Sequence, residues 1–348
     1  MSLESAEQVI EPGQSWEVDL FRPEDAAGVV RLFLMIYGKG YPIKTFIDPD
    51  LLIKENAAGR TISSVARTPK GDIVGQTAMF CSSASEVTRE LGSGVVEPGY
   101  SGGKGILTQL LSHGQHVAAK QYGVSMIFGE PVCLHVISQK ACKTLGWTTH
   151  AVEMDLIPAS HYAKHKSTSG RVSTLVDFVT LLPRPHTVYL PQVYQEALEY
   201  IYGGLDDTRD LLSSQEGLAA QVTTRIVTQV FDFAQVARLA VHDAGQDFAA
   251  AMDQEEAALR SRGVVVIQVW LKLSWPWVAA AVEHLRQRGY FLGGLLPRWF
   301  DDDGLLMQKV IGRPNWEGMQ LEFDRGKRIV DLAKADWAER NVVRQGLI

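Results

Sequence analysis

Residues 95–111 read VVEPGYSGGKGILTQLL. An apolar strand end, Val95-Val96, meets Pro98, four glycines fall within the seven residues Gly99 to Gly105, and an apolar-periodic stretch follows. Glycine suits places where the backbone must take a positive φ or let another group approach without a side chain in the way. A helix starting there presents N–H groups that have no internal partner, at the positive end of its dipole, and these suit an anion. The stretch therefore predicts a strand, a bare turn and a helix, with the turn shaped for a phosphate-bearing ligand.

Upstream of the turn, Trp16–Phe21 alternates as a strand. Pro23, Glu24 and Asp25 then open a helix that runs to about Tyr37, because proline suits a first turn and acids suit the positive end of the dipole. Thr61–Arg67 and Asp72–Phe80 read as strands joined by the hairpin turn Thr68-Pro69-Lys70-Gly71. Strand Glu90–Val96 leads into the glycine turn, and a helix is expected from about Gly105 to Tyr122. Strand Val124–Phe128, helix Val136–Leu145 capped by Gly146, and strand Thr149–Leu156 complete the first half.

The polar stretch Ala159–Ser169 reads as a linker. Beyond it come strand Val172–Leu182, a proline-punctuated loop and helix Gln192–Tyr202. Strands Thr224–Val230 and Val236–Val241, helix Asp247–Arg260, strand Val264–Leu271 and helix Trp275–Arg288 follow. The hairpin Tyr290–Leu296 and Leu305–Val310, turning at Asp301-Asp302-Asp303-Gly304, leads to a charged helix, Leu321–Arg340. The halves share a skeleton. Gly105 and Gly123 stand 18 residues apart, as do Gly245 and Gly263, and each pair brackets a helix followed by strand, helix and Gly-aromatic. This order predicts a structural duplication whose period is too long for a solenoid.

A chain of 348 residues is long enough for about two domains. Its formal net charge of −6 argues against a nucleic-acid backbone as the main partner. Cys81, Cys133 and Cys142 have neither metal-ligand spacing nor an even-numbered framework, so a reducing compartment and no metal are expected. Met1–Gln14 has no signal-peptide core, and no apolar run is long enough to span a bilayer, which points to a cytoplasmic protein without a membrane partner.

The order strand, glycine turn, helix, strand, helix, Gly-aromatic, strand resembles the GNAT superfamily of N-acyltransferases. VVEPGYSGGKGILTQLL is similar to that family's pyrophosphate loop, and LHVISQKACKTLGW (residues 134–147) to its next helix, with Trp147 in the closing aromatic place. The turn departs from the family pattern of Arg or Gln, two residues, Gly, one residue, Gly or Ala. Counting from Pro98 puts Ser101 at the long-side-chain position and Lys104 at the first glycine; allowing one inserted residue restores Gly105 but puts Gly102 at the long-side-chain position and Leu107 at the second small one. The resemblance implies an α/β fold with a mixed sheet, as two GNAT-like domains in tandem. Their expected spans are 1–158 for an acyl-CoA-binding domain, 159–170 for a linker, and 171–348 for a degenerate copy with a C-terminal helix. It implies acetyl-CoA, or another acyl-CoA, as co-substrate, held by Val96, Tyr100, Ser101, Gly102, Gly103, Lys104, Gly105, Ile106 and Ser138. The second copy has Ala240–Gly245 at the turn, with one glycine, and an Asp243 that would repel a diphosphate.

Acyl transfer to an amine needs a base for the ammonium, a donor for the developing oxyanion and a proton for the departing thiolate. Strand alternation puts Glu90, Gly92, Gly94 and Val96 on one face, where the glycines leave open space beside a half-buried carboxylate. The resemblance carries the family's base glutamate onto Glu90. Glu130 and His135, just beyond strand Val124–Phe128, are alternates, and Cys142 stands where many relatives carry the proton-donating tyrosine. The expected activity is N-acyl transfer from acyl-CoA to a small-molecule or protein amine. The rival reading is a non-catalytic CoA-binding sensor or scaffold, and the acceptor and a homodimer are left open.

Overall fold

A computed structural model describes residues 10–38, 41–103, 105–159 and 170–345, without the side chains of 341–345. The chain divides into two compact units: Met1–Gly129 with Ala141–Gly146, and Glu130–Lys140 with Trp147–Ile348. Of the expected linker 159–170, only Ala159 and Gly170 are among the described residues, and Lys104 lies outside them.

In the first unit, β1 (Glu17–Leu20) leads through a 3-10 turn, Pro23–Asp25, into α1 (Ala26–Tyr37). The acid expected to favour this helix start has a second task. Asp25 accepts from the Arg22 amide at 2.7 Å and from Arg67 Nη2 at 2.6 Å, which ties the turn to a neighbouring strand. α2 (Pro49–Ala57) was not anticipated, although Asp48-Pro49 is a cap-and-first-turn signal: Asp48 Oδ1 accepts from the Leu51 amide at 3.1 Å. β2 (Thr61–Arg67), β3 (Ile73–Phe80) and β4 (Thr88–Val96) continue an antiparallel ladder from β1. α3 (Ile106–His113) runs into a π turn, Gly114–Ala118, then α4 (Ala119–Gln121), so the expected continuous helix is interrupted. The break falls where the helix presses on β4. A Cβ at Gly114 would stand 2.8 Å from Leu91 Cδ2. β5 (Met126–Gly129) then pairs with β4 in parallel. Val29, Leu32, Phe33, Val65, Ala78 and Val95 form the core under α1, and Ala66, Val74, Ile106 and Leu110 pack on the α3 face.

α5 (Ile137–Thr144) follows, with its residues to Lys140 in the second unit and the rest in the first. β6 (Thr148–Pro158) and β7 (Arg171–Thr180) are antiparallel partners. β8 (His186–Leu190) and β9 (Arg209–Ser213) form a separate parallel pair around α6 (Gln195–Tyr202); the proline-punctuated sequence had suggested only a loop there. β10 (Arg225–Phe231) pairs antiparallel with β11 (Val236–Asp243), which after α7 (Phe248–Ser261) pairs in parallel with β12 (Val266–Lys272). α8 (Val278–Gln287), β13 (Phe291–Leu296), β14 (Gly304–Val310) and α9 (Asp324–Gln345) complete the unit. Its sheet runs β7-β6-β13-β14-β12-β11-β10. Leu239, Val269, Leu271, Phe248, Val282 and Leu285 are among the side chains of its core.

Besides the separate β8–β9 pair, each unit has one parallel strand pair in its main sheet among the described residues, and the two pairs start alike. The carbonyl of Val87 accepts from the amides of Ser125 and Met126 at 3.1 and 3.2 Å, and the ladder then runs Thr88–Met126, Arg89–Ile127, Glu90–Phe128. The carbonyl of Gln235 accepts from the amides of Val265 and Val266 at 2.9 and 3.3 Å, and the ladder runs Val236–Val266, Ala237–Ile267, Arg238–Gln268. By hydrogen-bond register, Arg238 is the counterpart of Glu90.

Candidate active site

Beyond Glu90–Phe128 the ladder between β4 and β5 ends, whereas β11 and β12 stay paired through Leu239–Val269 and Ala240–Trp270. β4 therefore leaves its parallel neighbour at Glu90. A bulge follows, with Ser93 at φ +50° and a register slip opposite Gln76 to Ala78 of β3. The bulge corrects one expectation. Glu90 and Gly92 do share a face, and a Cβ on Gly92 would lie 2.9 Å from Glu90 Oε1. Gly94, however, faces Leu107 of α3, and Val96 packs beside Ile106 and Leu110. The extra residue reverses the alternation, so Gly94 and Val96 are on the opposite face from Glu90. The Glu90 side chain is half-buried, and Ser82 Oγ donates to its Oε2 at 2.6 Å.

At the far end of β4, Pro98–Tyr100 forms a 3-10 turn, and Gly102, Gly103 and Gly105 take φ of +84°, +94° and +75°. These glycines are needed for backbone conformation. No atom lies within 4 Å of a Cβ built at Gly102 or Gly103, which leaves open space over the turn. Gly105 caps α3, whose first amides have no intrahelical partner. Ile106 buries its side chain, so it can offer a ligand only its backbone. Ser101 Oγ donates to the Pro98 carbonyl at 2.8 Å and closes the turn. Tyr100 is not a cofactor-facing residue. It is 1% exposed, donates to the Glu11 carbonyl at 2.6 Å, accepts from the Gln14 amide at 3.2 Å and meets Trp16 edge-on. Its ring fills the core beneath the turn, and its hydroxyl pins the N-terminal segment.

The remaining candidates are dispersed. Cys142 is buried in α5 and belongs to the first unit; Glu130, His135 and Ser138 belong to the second. Glu130 Oε1 accepts from Arg238 Nη2 at 2.9 Å. His135 and Ser138 are half-buried, and the His135 carbonyl accepts from Gln139 Nε2 at 3.3 Å. Beside them, Gln139 donates to the Gln320 carbonyl at 2.8 Å and accepts from the Glu322 amide at 3.0 Å, which makes it a structural tie.

Two buried polar clusters escaped the sequence reading. One joins Arg238 to Glu153, Gln268 and Glu130; its sequence signal is charge inside two apolar runs, AVEMDL (151–156) and VARLAV (236–241). The other centres on Asp303, read as a plain turn residue. It is fully buried and accepts from Arg209 Nε at 2.6 Å, Tyr202 Oη at 2.9 Å and the Arg298 amide at 2.8 Å. Burial opposes its ionisation, but the nearby His186 ring, with Nε2 3.4 Å away, and the hydrogen-bonded Arg209 outweigh that and hold its carboxyl at about 2.

The second glycine turn is filled by its own chain. A Cβ at Gly245 would stand 1.7 Å from the Val222 carbonyl oxygen, and the Gly245 amide donates to Thr224 Oγ1 at 3.1 Å. Thr224 Oγ1 in turn donates to Asp247 Oδ1 at 2.6 Å, and Asp243 pairs with Arg225 at 2.9 Å.

The chain is a mixed α/β protein, and about half of it is similar to acetyltransferases of known structure. Ribosomal-protein-S5-alanine acetyltransferase from Vibrio fischeri is similar at 13% identity and a TM-score of 0.39, over 50% of this chain and 97% of its own. The yncA protein of Salmonella typhimurium, solved with its cofactor acetyl-CoA, is similar at 15% identity and 0.39, over 49% and 96%. Ribosomal-protein-S18-alanine N-acetyltransferase from Escherichia coli is similar at 14% and 0.37, over 49% and 96%. No protein-family model and no curated protein matches the sequence. Among the described residues, no helix is long and apolar enough to cross a membrane, and no group of three His, Cys, Asp or Glu side chains is arranged to hold a metal ion.

Proposed function

We propose that this protein is an N-acyltransferase that moves an acetyl, or other acyl, group from acyl-CoA to an amine, using the first of two GNAT-like halves. The observation that carries this reading is the parting of β4 from β5 at Glu90, on a strand that ends in a left-handed glycine turn at the start of α3. The open space over Gly102 and Gly103 fits a phosphate on the helix amides, and Val96, Ser101, Lys104 and Gly105 border it in sequence. Bound acyl-CoA would supply the activated thioester. Glu90 takes the proton of the acceptor ammonium, and Ser82 holds the carboxylate in one orientation. Cys142 is the candidate for returning a proton to the thiolate, and Glu130 and His135 are the alternate bases.

The second half serves as a degenerate copy with a structural role. Its turn is occupied by Val222 and Thr224, and its counterpart of Glu90 is an arginine. Ser101 favours the rival reading, a CoA-binding sensor, because the turn lacks a long side chain for the diphosphate. Two measurements separate the readings. Titration calorimetry with acetyl-CoA should give one site per chain, lost in the double variant Gly103→Val, Gly105→Val, while the fold survives by circular dichroism. Thiol release with a panel of polyamines, aminoglycosides, amino acids and peptide amines should show turnover above hydrolysis. Tight binding without turnover on any acceptor supports the sensor; absence of binding overturns both readings.

A further inference from the structure

β6, β7, β11 and β12 enclose a polar cluster in the second unit whose Glu153, Arg238, Gln268 and Thr174 have no part in the acyl-transfer reading. Glu153 of β6 is 3% exposed. Its Oε1 accepts from Arg238 Nη2 at 3.1 Å and Gln268 Nε2 at 2.9 Å, and its Oε2 from Thr174 Oγ1 at 3.2 Å. The same Arg238 nitrogen donates to Glu130 Oε1 at 2.9 Å, while Arg238 Nε donates to Gln268 Oε1 at 2.9 Å. The guanidinium also stands 5.5 Å from the Phe231 ring and 5.8 Å from that of Trp270. Two carboxylates therefore share one nitrogen of one cation, largely out of water. Unpaired charge in such a place is costly, and the cheapest remedy is for one carboxylate to hold a proton.

We propose that this cluster is a proton-operated clamp on Glu130: with Glu153 protonated the guanidinium is committed to Glu130, and with Glu153 ionised it is divided between the two carboxylates. The deeply buried Glu153 is the member that takes the proton, because Glu130 keeps some contact with water. The groups facing Glu153 are Arg238 from β11, Gln268 from β12, Thr174 from β7 and Glu130 from the segment after β5. Gln308 of β14 is neutral and turned to the Met154 amide and the Val152 carbonyl. Burial, reinforced by the charge of Glu130, raises the Glu153 carboxyl to about 7 against the opposing pull of Arg238, Gln268 and Thr174. On ionisation the proton goes to water; on protonation the Thr174 hydroxyl turns to accept from the acid. Glu130 opens the segment that reaches β7 through the Cys133 amide on the Ser173 carbonyl at 2.8 Å and the Leu175 amide on the Pro131 carbonyl at 3.0 Å. Loosening the clamp weakens the hold on that segment.

The inference is independent of acyl transfer, and so is its test. In full-length protein labelled with ¹³C at glutamate carboxyls, one resonance should titrate within about one unit of pH 7 and be missing in Glu153→Gln. Protection of the Cys133 and Leu175 amides, corrected for intrinsic exchange, should fall several-fold from pH 5.5 to 8.5 in the wild type and stay level in Glu153→Gln. Thr174→Val, which removes a hydrogen bond to the ionised form, should move the titration upward and serves if Glu153→Gln does not fold. Absence of a glutamate titrating near neutrality, wild-type protection that is level with pH, or the same slope in Glu153→Gln would each overturn the clamp.

Discussion

Glu90 and Arg238 stand at the third rung of equivalent parallel ladders, yet one is a half-buried carboxylate at the point where two strands part and the other a buried guanidinium between strands that stay paired. A backbone that separates leaves room for a ligand beside a side chain that can take a proton. A backbone that stays zipped, with a permanent cation at the same rung, leaves neither. The turns that follow differ in the same sense: the space over Gly102 and Gly103 is open, and that over Gly245 is filled by the Val222 carbonyl. One strand-turn-helix plan thus leaves its turn either open or filled, depending on a few side chains and one loop.

Glu90→Gln is the sharpest test of this contrast, because it keeps shape and hydrogen bonding while removing basicity. Acyl-transfer rate should fall about 10²–10⁴-fold with acetyl-CoA affinity nearly unchanged. The loss should shrink as pH rises, since more of the acceptor amine is then neutral without help. A wild-type rate would move the base elsewhere.

Gly245→Ala should lower folding stability by about 1–3 kcal/mol, read by urea denaturation, because its Cβ would collide with backbone. Acetyl-CoA affinity in that variant should match the wild type, and a parallel loss of binding would contradict the division of labour between the halves. Gly103→Ala reverses the pattern. With nothing nearby to strike, it should cost only about 1–2 kcal/mol for the left-handed backbone while weakening acetyl-CoA in calorimetry. Glu130→Gln should have the smallest effect on catalysis, within about twofold in transfer rate, because the Glu130 carboxylate is already engaged by Arg238. A loss as large as that of Glu90→Gln would exchange their roles.

Much of the fold was legible because it rests on local rules. The hairpin at Thr68–Gly71, the two 18-residue glycine intervals and the terminal hairpin around Gly304 follow from turn residues and periodicity that any window of sequence displays. Departures came where distant residues intervene. The π turn begins at Gly114, where Leu91 of a distant strand lies against the helix, and the bulge at Ser93 turns Gly94 and Val96 away from the face that strict alternation gave them. Tyr100 illustrates the limit for site residues: its place in a glycine turn suggested a ligand contact, but Glu11, Gln14 and Trp16, more than eighty residues earlier, claim it.

By itself the sequence determined where the backbone could be bare and which strands and helices would flank that place, because glycine content, apolar period and caps act within a few residues. The tertiary structure alone decided which of two similar turns is open, which carboxylate stands at a fork, and which is shared on an arginine. Those outcomes depend on strand register and on burial of charge, and both are set by residues far apart in the chain.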